Sequence, residues 1–370
     1  MLAPEATPAR TPTAELALVR PFPALASLPR HALTNLPTPV QPLARLARRC
    51  DLGALWIKRD DCSGPLYGGN KPRKLEWLLG DARRRGRRAV ITFGGIGTHH
   101  GLATALCARD AGLRTLLVLL PQPVTEHVRH CLLLDYAAGA ELYLAQSVAG
   151  VAATGLRLCA EGLLRGQPPA IIPTGGTSAV GVVGYVNAAF ELAEQVRVGA
   201  MPEPDAIFVP LGSGGTVAGL VLGCRLAGLR SRIVAVLVTD ILPPSRNRLA
   251  GIARATLRRL RGAAPDLPAL DLGPDDFTVV REYLGAAYGA VTEGGLAAQR
   301  LLLEEEGLAL ETTYTAKCLA ALLDLATRPP YRDQTVLFWN TYSSVDPAAA
   351  LGRLPDWREL PSPFHRFFSD

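Results

Sequence analysis

The chain has 370 residues, of which 48% are hydrophobic, 19% charged and 6% aromatic; this suffices for the cores of two or three domains and excludes wholesale disorder. Its 36 glycines and 30 prolines follow no period, which excludes collagen-like and low-complexity architectures. The net charge is only +6, and the densest basic run (Arg83, Arg84, Arg85, Arg87 and Arg88) has no interleaved aromatics, so it reads as a solvated helix end rather than a nucleic-acid surface.

In chain order, residues 1–23 come first, rich in Pro, Ala and Thr without a continuous apolar stretch. They read as a flexible arm, with a processed leader as the alternative. Short β-like runs then alternate with longer helical stretches. The predicted strands are Ala54–Lys58, Ala89–Phe93, Thr115–Leu119, Glu141–Leu144, Ala206–Pro210, Ile233–Val238 and Thr335–Trp339. Several are unbroken Val/Ile/Leu/Phe runs, the pattern of strands covered on both faces. Helices are predicted near 72–85, 99–111, 124–138, 149–164, 179–197, 215–227, 291–306 and 315–327. Segments 198–204 and 262–275 read as Pro/Gly-rich linkers. The alternation predicts an α/β fold with mostly parallel sheets and right-handed crossovers. No apolar run of about 18 residues is present, so no membrane helix is expected.

Seven cysteines (Cys50, Cys62, Cys107, Cys131, Cys159, Cys224 and Cys318) form no CxxC, which points to a reduced, cytoplasmic protein without a disulfide framework. His127 and His130 have an HxxH spacing on an exposed helix, but no third ligand is near in sequence, so no metal site is expected.

Two strand-to-helix junctions are glycine-rich, at 93–101 and 209–216. Ligands of open α/β sheets bind at such carboxyl ends of strands. In Gly212-Ser213-Gly214-Gly215-Thr216, the glycines let backbone N–H groups converge, the hydroxyls add donors, and the helix N-terminus adds positive potential; a phosphate is the expected ligand, and a plain tight turn is the alternative. The spacing is not GxGxxG and no Walker-type lysine follows, which weakens dinucleotide and nucleoside-triphosphate readings.

Of the 39 basic residues only four are lysines, Lys58, Lys71, Lys74 and Lys317, so candidates for amine chemistry are few. Lys71 stands between a Gly-Gly-Asn turn and a helix started by Pro72. The helix dipole there disfavours the ammonium form, which suits a Schiff-base lysine. A surface lysine beside a turn is equally consistent with the segment.

The run Lys58-Arg59-Asp60-Asp61, followed by Gly68-Gly69-Asn70-Lys71-Pro72-Arg73-Lys74-Leu75-Glu76, resembles the hallmark of pyridoxal-phosphate (PLP) enzymes of the tryptophan synthase β-like fold, and within it the D-cysteine desulfhydrase / 1-aminocyclopropane-1-carboxylate deaminase family. The resemblance spans about residues 24–345. It includes Leu36-Pro37-Thr38-Pro39-Val40, the junction at 94–101, Ile172-Pro173-Thr174-Gly175-Gly176-Thr177-Ser178, the phosphate loop, and Tyr314-Thr315-Ala316-Lys317. It implies a two-domain fold: a large domain from 24–76 plus 186–370, and a smaller inserted domain over 77–185. It implies that Lys71 forms a Schiff base with the cofactor, pyridoxal 5'-phosphate, and later serves as the base for the α-proton. Asn70 and Lys74 are implied near the phosphate, and Gly212, Ser213, Gly214, Gly215 and Thr216 around it. Thr98, His99 and His100 are implied as the substrate-carboxylate loop, with Thr98 also catalytic. Tyr288 and Tyr314 are implied to face the substrate as acids, and Thr315 to pair with the pyridine nitrogen. A small amino-acid substrate and a homodimer are likewise implied.

A neutral hydroxyl at 315 does not hold the ring nitrogen protonated as a carboxylate would. The deaminases typically carry Glu there, so β-elimination is favoured over cyclopropane ring opening. The chain departs from the family pattern twice. Gly97-Thr98-His99-His100 stands where Gln-Ser-Asn-Gln/His is usual, and Asn340-Thr341-Tyr342-Ser343 where His-Thr-Gly-Gly is usual. Both changes point to an altered substrate pocket.

Overall fold

The computed structural model describes residues 15–241 and 243–368. The chain runs β1 (Val40–Pro42), α1 (Ala44–Arg49), β2 (Leu55–Lys58), α2 (Asn70–Arg84), β3 (Ala89–Gly95), α3 (His99–Asp110), β4 (Arg114–Leu120), α4 (Glu126–Ala137), β5 (Ala140–Leu144), α5 (Val148–Leu164) and β6 (Ala170–Ile171). It continues with α6 (Val183–Arg197), β7 (Ala206–Leu211), α7 (Gly215–Ala227), β8 (Arg232–Leu237), α8 (Arg246–Ala263), β9 (Thr278–Val280), α9 (Glu293–Glu306), α10 (Thr315–Leu325) and β10 (Val336–Trp339).

The strands form two sheets. One is six-stranded, in the order β1-β2-β10-β7-β8-β9, and parallel except for the β1–β2 pair. The other is four-stranded, β5-β4-β3-β6, and wholly parallel. Strand β7 shows why its sequence is unbroken apolar. Ile207, Val209 and Leu211 enter one core with α6, α7 and α8, while Ala206 and Phe208 enter another with α1, α9 and α10. The second sheet repeats the scheme, with Val90 and Leu117 packed toward α2 and α3, and Ile91, Leu116 and Val118 toward α5. All four strands of the second sheet fall inside 77–185 and none of the first does; on that ground we propose the inserted-domain division to hold.

All seven predicted strands are present, with three short additions, β1, β6 and β9. Residues 1–14 of the expected arm lie outside the described residues. The flexible reading fails from 15 onward: Leu18 is fully buried and its N–H donates to Asn187 Oδ1 at 3.0 Å. Helix α8 was unpredicted. Its two glycines and many arginines masked an apolar face at Leu249, Ala253, Leu257 and Leu260, and Ser245 caps its N-terminus. The basic run at 83–88 is exposed except for half-buried Arg87. Arg85 pairs there with Asp81 at 2.9 Å.

Candidate active site

Strands β2, β10 and β7 are parallel neighbours, so the segments after them emerge side by side. After β2 comes the turn to Lys71, after β10 the stretch Asn340–Ser343, and after β7 the glycine loop. Packing locks the Lys71 turn. Gly69 has φ +76° and its N–H donates to Asp60 O at 2.7 Å. A Cβ at Gly68 would stand 1.8 Å from Asp61 O, so only glycine fits. The Gly68 and Asn70 N–H groups donate to Ser343 Oγ and Thr341 O at 2.8 and 3.1 Å. Beneath lies a buried network: Arg73 reaches Asp60 and Glu191, Lys58 reaches Glu191 at 2.6 Å, and Tyr185 and Trp339 both donate to Asp60.

Lys71 Nζ donates to Asn70 Oδ1 at 2.7 Å, and Asn70 Nδ2 donates to Thr216 Oγ1 at 3.2 Å. The lysine and the glycine loop therefore share one site, bridged by a single side chain. Burial lowers the Lys71 ammonium to about 8, against an opposing pull from Glu311. The loop itself is shaped by small residues. Gly214 has φ +94° and α7 begins at Gly215, where a Cβ would lie 2.7 Å from Thr177 Oγ1. Thr177 in turn bonds Ser213, Oγ1 to Oγ, at 2.7 Å.

One turn beyond Lys71, Lys74 is 2% exposed and its ammonium has neither a hydrogen bond nor an ion pair among the described residues. Burial, then Lys71, holds its pKa well below the ordinary range. Its stem lies against Gly176, whose neighbour Gly175 packs on Ser213. An unpaired buried cation beside a helix N-terminus and a side-chain-free loop is suited to a dianion. The residues present thus fit the phosphate of a PLP cofactor and an amine able to bond its aldehyde.

The other expected residues surround this pair. Thr98 caps α3, its hydroxyl accepting from Gly101 N at 3.3 Å. His99 Nδ1 lies 2.8 Å from Tyr67 Oη, and its ring stands edge-on to Tyr342, centroids 6.2 Å apart. The two departures from the family pattern therefore meet in one wall. His100 is buried against Thr92 Oγ1 at 3.0 Å, and burial, then Lys71 and Lys74, lowers its pKa strongly. Tyr288 and Tyr314 join Oη to Oη at 2.6 Å, with the Tyr314 ring over Gly212. Thr315 is fully buried at the start of α10.

Sequence reasoning missed Glu311 and Tyr67. Glu311 accepts the N–H groups of Thr313, Tyr314 and Thr315 and the Thr315 hydroxyl. A carboxylate four residues before the first turn of an apolar helix was the available signal. The HxxH pair does not converge: His127 turns toward His99, and no cluster of three metal donors occurs among the described residues.

A two-sheet α/β fold with a buried lysine bridged to a glycine loop at a helix N-terminus is the architecture of a PLP-dependent enzyme. The family described as "Pyridoxal-phosphate dependent enzyme" matches residues 32–341, and the chain belongs to it. The chain is 35% identical over 321 residues to the "Putative 1-aminocyclopropane-1-carboxylate deaminase" of Pyrococcus furiosus, covering 86% of this chain and 92% of that protein. It is 33% identical over 336 residues to a D-cysteine desulfhydrase of Klebsiella pneumoniae (86% and 94%). It is 35% identical over 335 residues to the nocardicin C-9' epimerase of Nocardia uniformis subsp. tsuyamanensis (90% and 98%). Among solved structures, an ACC deaminase homologue superposes with a TM-score of 0.75 at 31% identity, covering 86% of this chain and 93% of that one. The protein is a PLP-dependent enzyme of this fold.

Proposed function

We propose that the protein is a D-cysteine desulfhydrase-like lyase, removing the α-proton of a small amino acid and eliminating its β-substituent. The observation that carries this reading is the Lys71–Asn70–Thr216 bridge, which ties the amine to the phosphate cradle. Gly212 to Thr216, with Asn70 and Lys74, would hold the phosphate, and Thr315 would pair with the ring nitrogen. The bound cofactor supplies an electron sink that acidifies the α-carbon of the amino acid attached to it. Lys71 takes the α-proton; an amine lowered to about 8 is partly neutral near pH 7 and acts as a base. The loop Thr98-His99-His100 at the N-terminus of α3 would bind the substrate carboxylate. Tyr288 or Tyr314 donates a proton to the departing group, and both phenols are held protonated, chiefly by burial. The products are a 2-oxo acid, ammonia and, from a thiol substrate, sulfide. We place the enzyme in the cytoplasm as a homodimer. The seven free cysteines support the first, the family resemblance the second.

A panel of D- and L-amino acids, scored for 2-oxo acid and sulfide, tests the reading. Pyruvate and sulfide from D-cysteine are expected, with cofactor colour and turnover lost in Lys71→Ala; full turnover in that variant overturns it. ACC deaminase activity would instead yield 2-oxobutyrate. A second reading is epimerisation at the α-carbon, favoured by the match to the epimerase over 98% of its length. It predicts inverted amino acid with no 2-oxo acid.

A further inference from the structure

Tyr67, His99 and His127 form an unbroken chain of polar atoms. Tyr67 Oη lies 2.8 Å from His99 Nδ1, and His99 Nε2 lies 3.2 Å from His127 Nε2. The two imidazole rings are 5.0 Å apart, tilted by 34°. The ends of the chain differ. Tyr67 is 5% exposed and begins the turn that carries Lys71, whereas His127 is exposed on α4. In between, His99 packs on Tyr342, whose neighbour Thr341 accepts the Asn70 N–H.

Two Nε2 atoms in contact cannot both carry hydrogen, so one imidazole donates and the other accepts. Burial first, then His127 and Lys71, lowers His99 to about 4, and burial lowers His127, so both rings are neutral at pH 7. The chain then has two complete arrangements. In one, Tyr67 O–H donates to His99 Nδ1 and His99 Nε2–H to His127 Nε2. In the other, every donor is reversed. A proton gained at His127 Nδ1 converts one into the other: His127 passes its Nε2 proton to His99 Nε2, His99 passes its Nδ1 proton to Tyr67 Oη, and Tyr67 gives up its own hydroxyl proton to the group reacting in the cleft. Each side chain loses one proton for each it gains. Cys131 Sγ, 3.5 Å from His127 Nε2, is only a weak competing donor.

We propose that Tyr67, His99 and His127 form a proton relay between the catalytic cleft and solvent, separate from Lys71. The inference rests on the reading of this cleft as catalytic. His127 serves through His99 and is a positioning residue. The relay gives the cleft a route for protons that does not depend on opening the site to water.

The test uses the cofactor-loaded enzyme in deuterium oxide. Loss of the α-hydrogen from each panel amino acid is followed by proton NMR for wild type, His127→Ala and His99→Asn. The expected result is exchange slowed on the order of tenfold in both variants, a fraction of the effect of a direct acid or base, with added imidazole restoring His127→Ala only. Unchanged exchange in His127→Ala overturns the relay. A loss that imidazole leaves unrepaired does too, since that pattern belongs to a structural role. Wild type that exchanges no α-hydrogen also overturns it. Nitrogen-15 imidazole spectra of the unloaded protein form an independent arm: His99 signals must move in His127→Ala, and unmoved signals end the proposal whatever the cofactor does. A wild type that takes up no cofactor refutes the PLP reading instead, and this second arm still decides the pairing.

Discussion

Glu311 Oε1 accepts the hydroxyl of Thr315 at 3.0 Å. The hydroxyl proton is thereby committed to a carboxylate, and the Thr315 oxygen, which accepts the Glu311 N–H at 3.2 Å, has one lone pair left to offer. A residue that reads as merely neutral in the sequence is thus backed by a charge. That charge also reaches Lys71, Tyr288, Tyr314 and Tyr342.

Glu311→Gln is expected to lower the Lys71 pKa further. Glu311 stabilises the ammonium form, so removing its charge leaves burial unopposed and the amine neutral at lower pH. With only four lysines in the chain, the ε-carbon signals of the unloaded protein are assignable, and Lys71 must titrate below its wild-type midpoint. Loss of the charged cap on α10 costs about 1 kcal/mol as well. Glu311→Asp should restore part of both effects.

The network beneath the Lys71 turn predicts the enzyme's acid sensitivity. Burial raises the Glu191 pKa, but Arg73 and Lys58 outweigh it and bring the carboxyl from 4.5 down to about 2. A depressed folded pKa contributes stability that is complete above the unfolded value and is lost as pH falls. Unfolding should therefore steepen between pH 4.5 and about 2, followed by circular dichroism. Asp60→Ala leaves Arg73 buried with one partner fewer and should cost roughly 3–5 kcal/mol in urea denaturation.

Much of this was legible in the sequence. Buried parallel strands are continuous apolar runs, so β3, β4, β7, β8 and β10 could be read directly. The lysine turn and the glycine loop after β7 are local motifs, each with one glycine at positive φ, Gly69 and Gly214, a conformation other residues adopt only with strain. What could not be read is what assembles from distant segments. Glu311 lies on the loop between α9 and α10 and Tyr67 on the loop after β2, and only the packing of the fold sets both beside Lys71 and His99. His127 showed only a spacing with His130, whereas its partner, His99, is 28 residues away. Short edge strands such as β6, with two residues, carry too few side chains for a period.

Gly215→Ala probes the cradle without touching the lysine. Its Cβ would lie 2.7 Å from Thr177 Oγ1 and 3.4 Å from the Thr177 Cα, so Thr177 must shift and its bond to Ser213 loosens. The expected outcome is at least tenfold weaker cofactor binding, about 1.4 kcal/mol, with far-UV circular dichroism unchanged. Equilibrium dialysis against pyridoxal 5'-phosphate measures it, and retained affinity would place the phosphate elsewhere.

The tyrosine pair separates by burial. Tyr314 packs over Gly212 inside the cleft, whereas Tyr288 is 39% exposed and its backbone N–H is held by Asp240 at 2.9 Å. Removing the Tyr314 hydroxyl takes away the inner member of the pair, and Tyr288 cannot follow it inward. Tyr314→Phe should thus lower kcat on the order of 10²-fold, the range of a lost general acid. Tyr288→Phe leaves Tyr314 in place and removes only its partner, so a smaller loss, about tenfold, is expected. Burial raises both pKa values above 10, so neither tyrosine should contribute an alkaline limb below that pH in the wild-type kcat profile. Equal losses in the two variants would mean that the phenols act as one unit rather than as acid and support.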